Sequence, residues 1–265
     1  MGFFDRLFGK KRAAEPVSFV REDNEQFRQA AEKARETFKY FWREYYWEQR
    51  RIVKGLSRAA VKAPFSQEIK GVIETEYMWL DDIYFDGVNI SGTLINQPNI
   101  LTIVRKGERI TDLPYREITD WLLAYGKKTC GGFSIQALRA QMDEQERRAH
   151  DEACGLDFGD GQNVLLAIGQ EEHPEYLEQH PADINMSPSL RDYLNKHPAA
   201  LNEADENGQT MLHHAAIAGN AESVRVILAM GADPQRRDTR GKTAADYVKE
   251  IGWPQLVNLF NQPAV

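Results

Sequence analysis

The sequence predicts an α+β chain: a long N-terminal helix packed on a small curved antiparallel sheet with a following helix, and after it an α-helical repeat unit. Three observations carry this. Apolar residues recur with helical rhythm between Asn24 and Val53, the rhythm shifts toward period two from Glu74, and the C-terminal part superposes on itself at a shift of 33. At 265 residues, with 42% hydrophobic and 28% charged, the chain is long enough for about two domains. The expected organisation is a flexible N-terminal tail over 1–21, an α+β module over 22–168, an acidic linker over 169–184 and the repeats over 185–265.

The tail begins MGFFDRLFGKKR. Phe3, Phe4, Leu7 and Phe8 beside Lys10, Lys11 and Arg12 read as a flexible tail or as a short interfacial membrane anchor. Arg6 stands where a myristoylation signal needs Ser or Thr. In the first helix Phe27, Ala30, Ala31, Ala34, Phe38, Phe41, Trp42, Tyr45 and Ile52 form a core stripe, with Tyr40 and Trp47 on the opposite side, covered by another element or open for binding. The run ETEYMWLDDIYFDGVNISGTLINQP gives two strands around Asp86-Gly87, a hairpin signal, and ERITDLPYREITDWLLAYG adds strands. KKTCGGFSIQALRAQMDEQERRAHDEA then turns through Gly131-Gly132 into a helix that Ser134 can cap.

At the shift of 33, Asp205 falls on Asp238, Gly208 on Gly241, Thr210 on Thr243 and Gly219 on Gly252. The phrase GQTMLHHAAIAGNAESVRVILAMGADPQRRD resembles the ankyrin repeat, with Met211 where that family has a proline. GKTAADYVKEIGWPQLVNLF is the closing copy, and SLRDYLNKHPAALNEAD a degenerate opening one. One clear repeat between two atypical ones is the capping expected when neighbours bury each other's apolar faces. His213 and His214 read as structural, tying the turn.

The N-terminal half carries a second resemblance. ARETFKYFW, VKAPF, EYMWL, SGTLINQP, ITDWLLAYG, CGGFSIQALR and HDEACGLDFGD, in that order, are similar to the bacterial domain-of-unknown-function family 2314, the YegJ-like proteins. Cys154 stands where that family often has tryptophan, and the resemblance implies a fold rather than a chemistry.

Sequence signatures of common chemistries are missing: no GxSxG elbow, P-loop, GxGxxG or HExxH occurs. DFGDGQN, read as a calcium loop whose first position is Asp157, would need a bidentate Glu at position twelve, where Ile168 stands. Cys130 and Cys154 form no CxxC and fit a reduced compartment, so the expected location is the cytoplasm. No metal, cofactor or catalytic residue is expected. Glu74, Trp79, Asn96, Asp120 and Trp121 read either as walls of a tryptophan-lined groove, in an enzyme or small-ligand sensor, or as core residues with Asp120 capping a turn.

The net charge of −7 is uneven: residues 1–70 hold 16 Lys/Arg against 10 Asp/Glu, the remainder 17 against 30. Eleven carboxylates and two cations lie between Asp143 and Glu178, which argues against nucleic acid and for a basic protein partner. The expected function is a protein-binding one, in the manner of an immunity or antitoxin protein. Glu144, Glu146, Glu171 and Glu172 would steer the partner, and Arg236, Arg237 and Arg240 would recognise it.

Overall fold

The computed structural model describes residues 25–261, so the expected tail and its MGFFDRLFGKKR phrase lie outside the described residues. The chain divides into two units, one comprising residues through Phe41 and Ile52–Ile168, the other Trp42–Arg51 and Gly169 onward. The division falls inside the first helix, α1 (Glu25–Arg50).

In the first unit, six strands form one antiparallel sheet: β1 (Leu56–Ile69), β2 (Val72–Phe85), β3 (Asn89–Leu94), β4 (Arg109–Pro114), β5 (Asp120–Tyr125) and β6 (Lys128–Gly131), in the order β4-β3-β2-β1-β5-β6. The expected hairpin at Asp86-Gly87 joins β2 to β3. The Asp86 carboxylate accepts the Val88 and Asn89 amides, at 2.9 and 2.7 Å, and fixes the turn. β1 is central, pairing Val61 with Leu80 on one side and with Trp121 on the other. Register shifts in the β1–β5, β2–β3 and β3–β4 pairings are the irregularities that bend such a sheet.

Strand alternation sends neighbouring tryptophans to opposite faces. Trp121 joins the face packed by α1: its ring lies 5.9 Å from that of Phe41, and its indole N–H donates to the Ala34 carbonyl at 3.1 Å. Phe38 meets Phe85 edge-on at 5.2 Å in the same layer. On the other face Trp79 packs with Ala60, Leu122 and Ala124 against Ile135, Cys154, Leu156 and Phe158. The single following helix expected there is two, α2 (Phe133–Arg139) and α3 (Glu144–Cys154). The break has a local cause: Asp143 and Glu146 form a reciprocal capping box that starts α3 afresh. Ser134 does not cap α2 either. The N-cap is Gly132, at φ 76, and the Ser134 hydroxyl donates instead to Asp120.

The second unit is helical: α4 (Pro181–Lys196), α5 (Met211–Ile217), α6 (Ala221–Ala229), α7 (Ala244–Ile251) and α8 (Pro254–Val257). α5 and α7 begin 33 positions apart, as do α6 and α8, so the sequence period is the structural one. α4 packs on α6 and α5 on α7, first helix on first and second on second. Gly219 permits the stacking: at φ 72, a Cβ there would lie 2.3 Å from the Trp253 ring. The stretch expected as a linker over 169–184 carries a 3-10 turn, Pro174–Leu177, and the start of α4.

The other end of this unit is closed by Trp42–Arg51. Trp47 donates from its indole to Asn220 at 2.9 Å and stacks on His180 at 5.9 Å. Fully buried Arg43 donates to the Tyr176 and Leu177 carbonyls, and Glu44 meets His180 Nε2 at 3.3 Å. Trp47 is thus covered rather than open for binding.

Candidate functional site

The repeat turns are built by two aspartates in equivalent places. Asp205 Oδ1 accepts the Asn207 and Gln209 amides, and Asp238 Oδ1 those of Arg240 and Lys242, all at 2.9 Å. The Thr239 amide donates to the Asn207 carbonyl at 2.9 Å and locks one finger to the next. His213 completes the join. Burial holds its pKa below the ordinary value, so the ring is neutral: Nδ1 accepts the Thr210 amide at 3.1 Å and Nε2 donates to the Lys242 carbonyl at 3.2 Å.

On this scaffold Arg236, Arg237 and Arg240 are exposed at the second finger, with Arg237 reaching back to the Gly241 carbonyl. The acidic residues are divided. Glu144 and Glu146 lie at the start of α3 in the first unit, Glu171 and Glu172 in the second. All four are exposed, but Glu146 is the returning half of a capping box, its carboxylate accepting the Asp143 amide at 2.9 Å. Glu144 pairs with Arg148 at 3.2 Å.

The five residues read as groove walls are not brought to one place. Trp79 and Trp121 are both fully buried on opposite faces of the sheet. Asn96 holds the Trp79 amide at 2.6 Å, and Glu74 sits opposite Gln67 toward the tip of the β1–β2 hairpin. Asp120 is fully buried and turns inward: it accepts the amides of Trp121, Phe133 and Ser134 at 2.8, 2.9 and 2.8 Å and the Ser134 hydroxyl at 2.6 Å. Burial pushes its pKa up to about 6, against the pull of these bonds and of Lys62. Three of its four bonds anchor the start of α2 to the sheet.

A thiol-imidazole-carboxylate series also occurs on α3. Cys154 Sγ lies 3.8 Å from His150 Nε2, and His150 Nδ1 2.9 Å from Asp151. The order suits a nucleophile, but burial pushes the Cys154 thiol up to about 11, so the thiolate a nucleophile needs is scarce at neutral pH. The DFGDGQN loop turns its carboxylates onto its own backbone, Asp157 to the Gly159 amide and Asp160 to that of Gln162. No three His, Cys, Asp or Glu side chains gather as metal ligands among the described residues.

The first unit also contains a cleft of about 720 Å³ between α1, α2, α3 and the loop 159–166. Lys33, Arg139 and Arg147 line it, with Asp160 the acid among its walls. Residue patterning did not point to it, because Lys33 is more than a hundred positions from Arg139 and Arg147 and each reads singly as part of a solvated helix face.

Residues 24–158 match the family model described as "Uncharacterized protein conserved in bacteria (DUF2314)", just over half of the chain. The chain belongs to this family. Behind the DUF2314 domain, residues 193–248 match the model of ankyrin repeats in many copies. The same pairing extends to a relative: "Putative ankyrin repeat protein NMB1133/NMB1171" of Neisseria meningitidis serogroup B is 45% identical over 244 residues, covering 92% of this chain and 96% of the relative. "Uncharacterized protein YegJ" of Escherichia coli K12 is 31% identical over 87 residues, 33% of this chain and 54% of that protein. The chain is thus a bacterial DUF2314 protein with ankyrin repeats, an architecture associated with protein–protein interaction. No described helix is long and apolar enough to cross a membrane.

Proposed function

We propose that this DUF2314 protein acts in the bacterial cytoplasm by binding a basic protein, in an immunity-like or antitoxin-like pairing. The observation that carries the reading is the second ankyrin finger, where the turn residues bond to one another while the Arg236 side chain is exposed beside them. A guanidinium on a rigid turn suits forked recognition of a carboxylate on a partner. The acidic remainder supplies steering. With 17 Lys/Arg against 30 Asp/Glu after residue 70, the chain attracts a protein of high pI and accelerates encounter.

The test is affinity purification from the native host with the full chain as bait, read by mass spectrometry. The intact protein should retain a basic partner that the Arg236→Ala, Arg240→Ala double variant releases. An acidic partner, or equal retention by the double variant, would refute the reading.

A further inference from the structure

We infer that the cleft of the first unit is a binding site for a small organic phosphate. At about 720 Å³ it lies within the range of small-molecule pockets and is far larger than a phosphate ion. The charge at its walls is specific. Arg139 is engaged by Asp151 at 2.8 Å, by Gln136 Oε1 at 2.6 Å and by the Gly159 carbonyl at 3.1 Å, so its charge is already compensated. Lys33 and Arg147 line the same cleft, and neither forms an ion pair with a described residue. Asp160 gives one oxygen to the Gln162 amide.

Two cations without ion-pair partners lining one cleft match a phosphate monoester, which carries about −1.5 to −2 at neutral pH. A monocarboxylate would answer only one of them. The remaining walls suit an organic part: Gln26, Gln162 and Asn163 offer amides that both donate and accept, and Phe133, Val164 and Leu166 offer apolar surface. A nucleic acid strand fits poorly, because a polyanion would meet the acidic remainder of the chain. A small dianion responds mainly to charges within a Debye length, roughly 8–10 Å. The site is independent of the ankyrin fingers, so this inference and the proposed protein partner stand or fall separately.

The experiment is calorimetric titration of the full chain with adenosine monophosphate and glucose 6-phosphate, and with adenosine, glucose and inorganic phosphate as controls. At least one organic phosphate should bind at least tenfold tighter than its unphosphorylated counterpart and than inorganic phosphate. The Lys33→Ala, Arg147→Ala variant should lose at least tenfold in that affinity with an unchanged circular dichroism spectrum, and Lys33→Arg should retain most of it. Failure of both organic phosphates to bind at millimolar concentration overturns the inference, as does unchanged affinity in the double variant. Equal binding of the unphosphorylated compound removes the role of the phosphate. Equal binding of inorganic phosphate removes that of the organic part.

Discussion

Replacing Asp120 with alanine should unfold the first unit rather than silence a site. The carboxylate accepts three backbone amides and one hydroxyl in a fully buried place, and alanine leaves all four donors without it. A buried donor stripped of its acceptor costs about 1–3 kcal/mol. Even with partial relaxation, three amides give on the order of 4–6 kcal/mol, and Lys62, 4% exposed and electrostatically coupled to Asp120, loses a compensating charge. That approaches the whole stability of an ordinary domain, about 5–15 kcal/mol. Asp120→Asn keeps the shape and one acceptor oxygen, so it should cost less, about 2–3 kcal/mol. The pH dependence has a definite sign. The folded pKa of about 6 lies above the ordinary 3.8, so the titration of Asp120 adds stability that is fully present below about pH 4 and lost as pH rises through 6. The gap between wild type and Asp120→Asn should therefore widen on going from pH 7 to pH 4.5, at about 1.4 kcal/mol per unit in the steep part. Urea unfolding of the full chain across that range is the assay. An Asp120→Ala protein that loses under 1 kcal/mol, or a gap that narrows toward low pH, would refute the assignment of Asp120 as a structural anchor.

Four further outcomes are expected. A fragment of residues 169–265 should show no cooperative melt, because it lacks the Trp47–Asn220 bond and the Arg43 contacts made by Trp42–Arg51; a melt at the full-length midpoint would count against this. Gly219→Ala should cost at least about 3 kcal/mol in denaturant, since its Cβ would fall 2.3 Å from the Trp253 ring at an unfavourable φ of 72. Cys154 should resist iodoacetamide in the folded protein at neutral pH and react after denaturation, with mass spectrometry as readout, because its pKa is pushed to about 11. Reversing Glu144, Glu171 and Glu172 to lysine should slow partner association with little change in dissociation, measured by surface plasmon resonance.

The repeat was legible because its signals are local. Thr210 and Thr243 start helices, Asp205 and Asp238 bind amides two and four positions on, and Gly219 needs its positive φ within one turn. The Asp86 hairpin and the core stripe of α1 from Phe27 to Trp42 were legible for the same reason, whereas Ile52, expected in that stripe, lies beyond the end of the helix and is exposed. Failures came where a partner is distant in sequence. Asp120 caps a helix 13 positions later, a relation that no spacing rule announces. Trp79 and Trp121 looked alike as carboxylate-flanked strand residues, but their faces depend on the register of β1 with two neighbours. Division of one expected helix into α2 and α3 hinged on Asp143 and Glu146 bonding to each other rather than facing solvent.

Two buried aspartates share one solution to joining helices. Asp183, 1% exposed in α4, accepts the Glu222 and Ser223 amides at 2.8 and 3.0 Å and the Ser223 hydroxyl at 2.5 Å. Asp120 does the same for Phe133 and Ser134. In both, a carboxylate from one element fills the positive N-terminus of another helix, and the serine at the second of the two amides adds its hydroxyl. In both, burial raises the pKa. A buried acid with a raised pKa beside a serine is also what a catalytic site presents, so electrostatic perturbation alone would have selected these residues as functional. Counting their hydrogen bonds decides against that: the amides and hydroxyls that could orient a substrate are already engaged in joining helices. Charges that remain available for recognition are those the fold does not consume, and among the described residues they include Lys33 and Arg147 at the cleft and the exposed finger arginine Arg236.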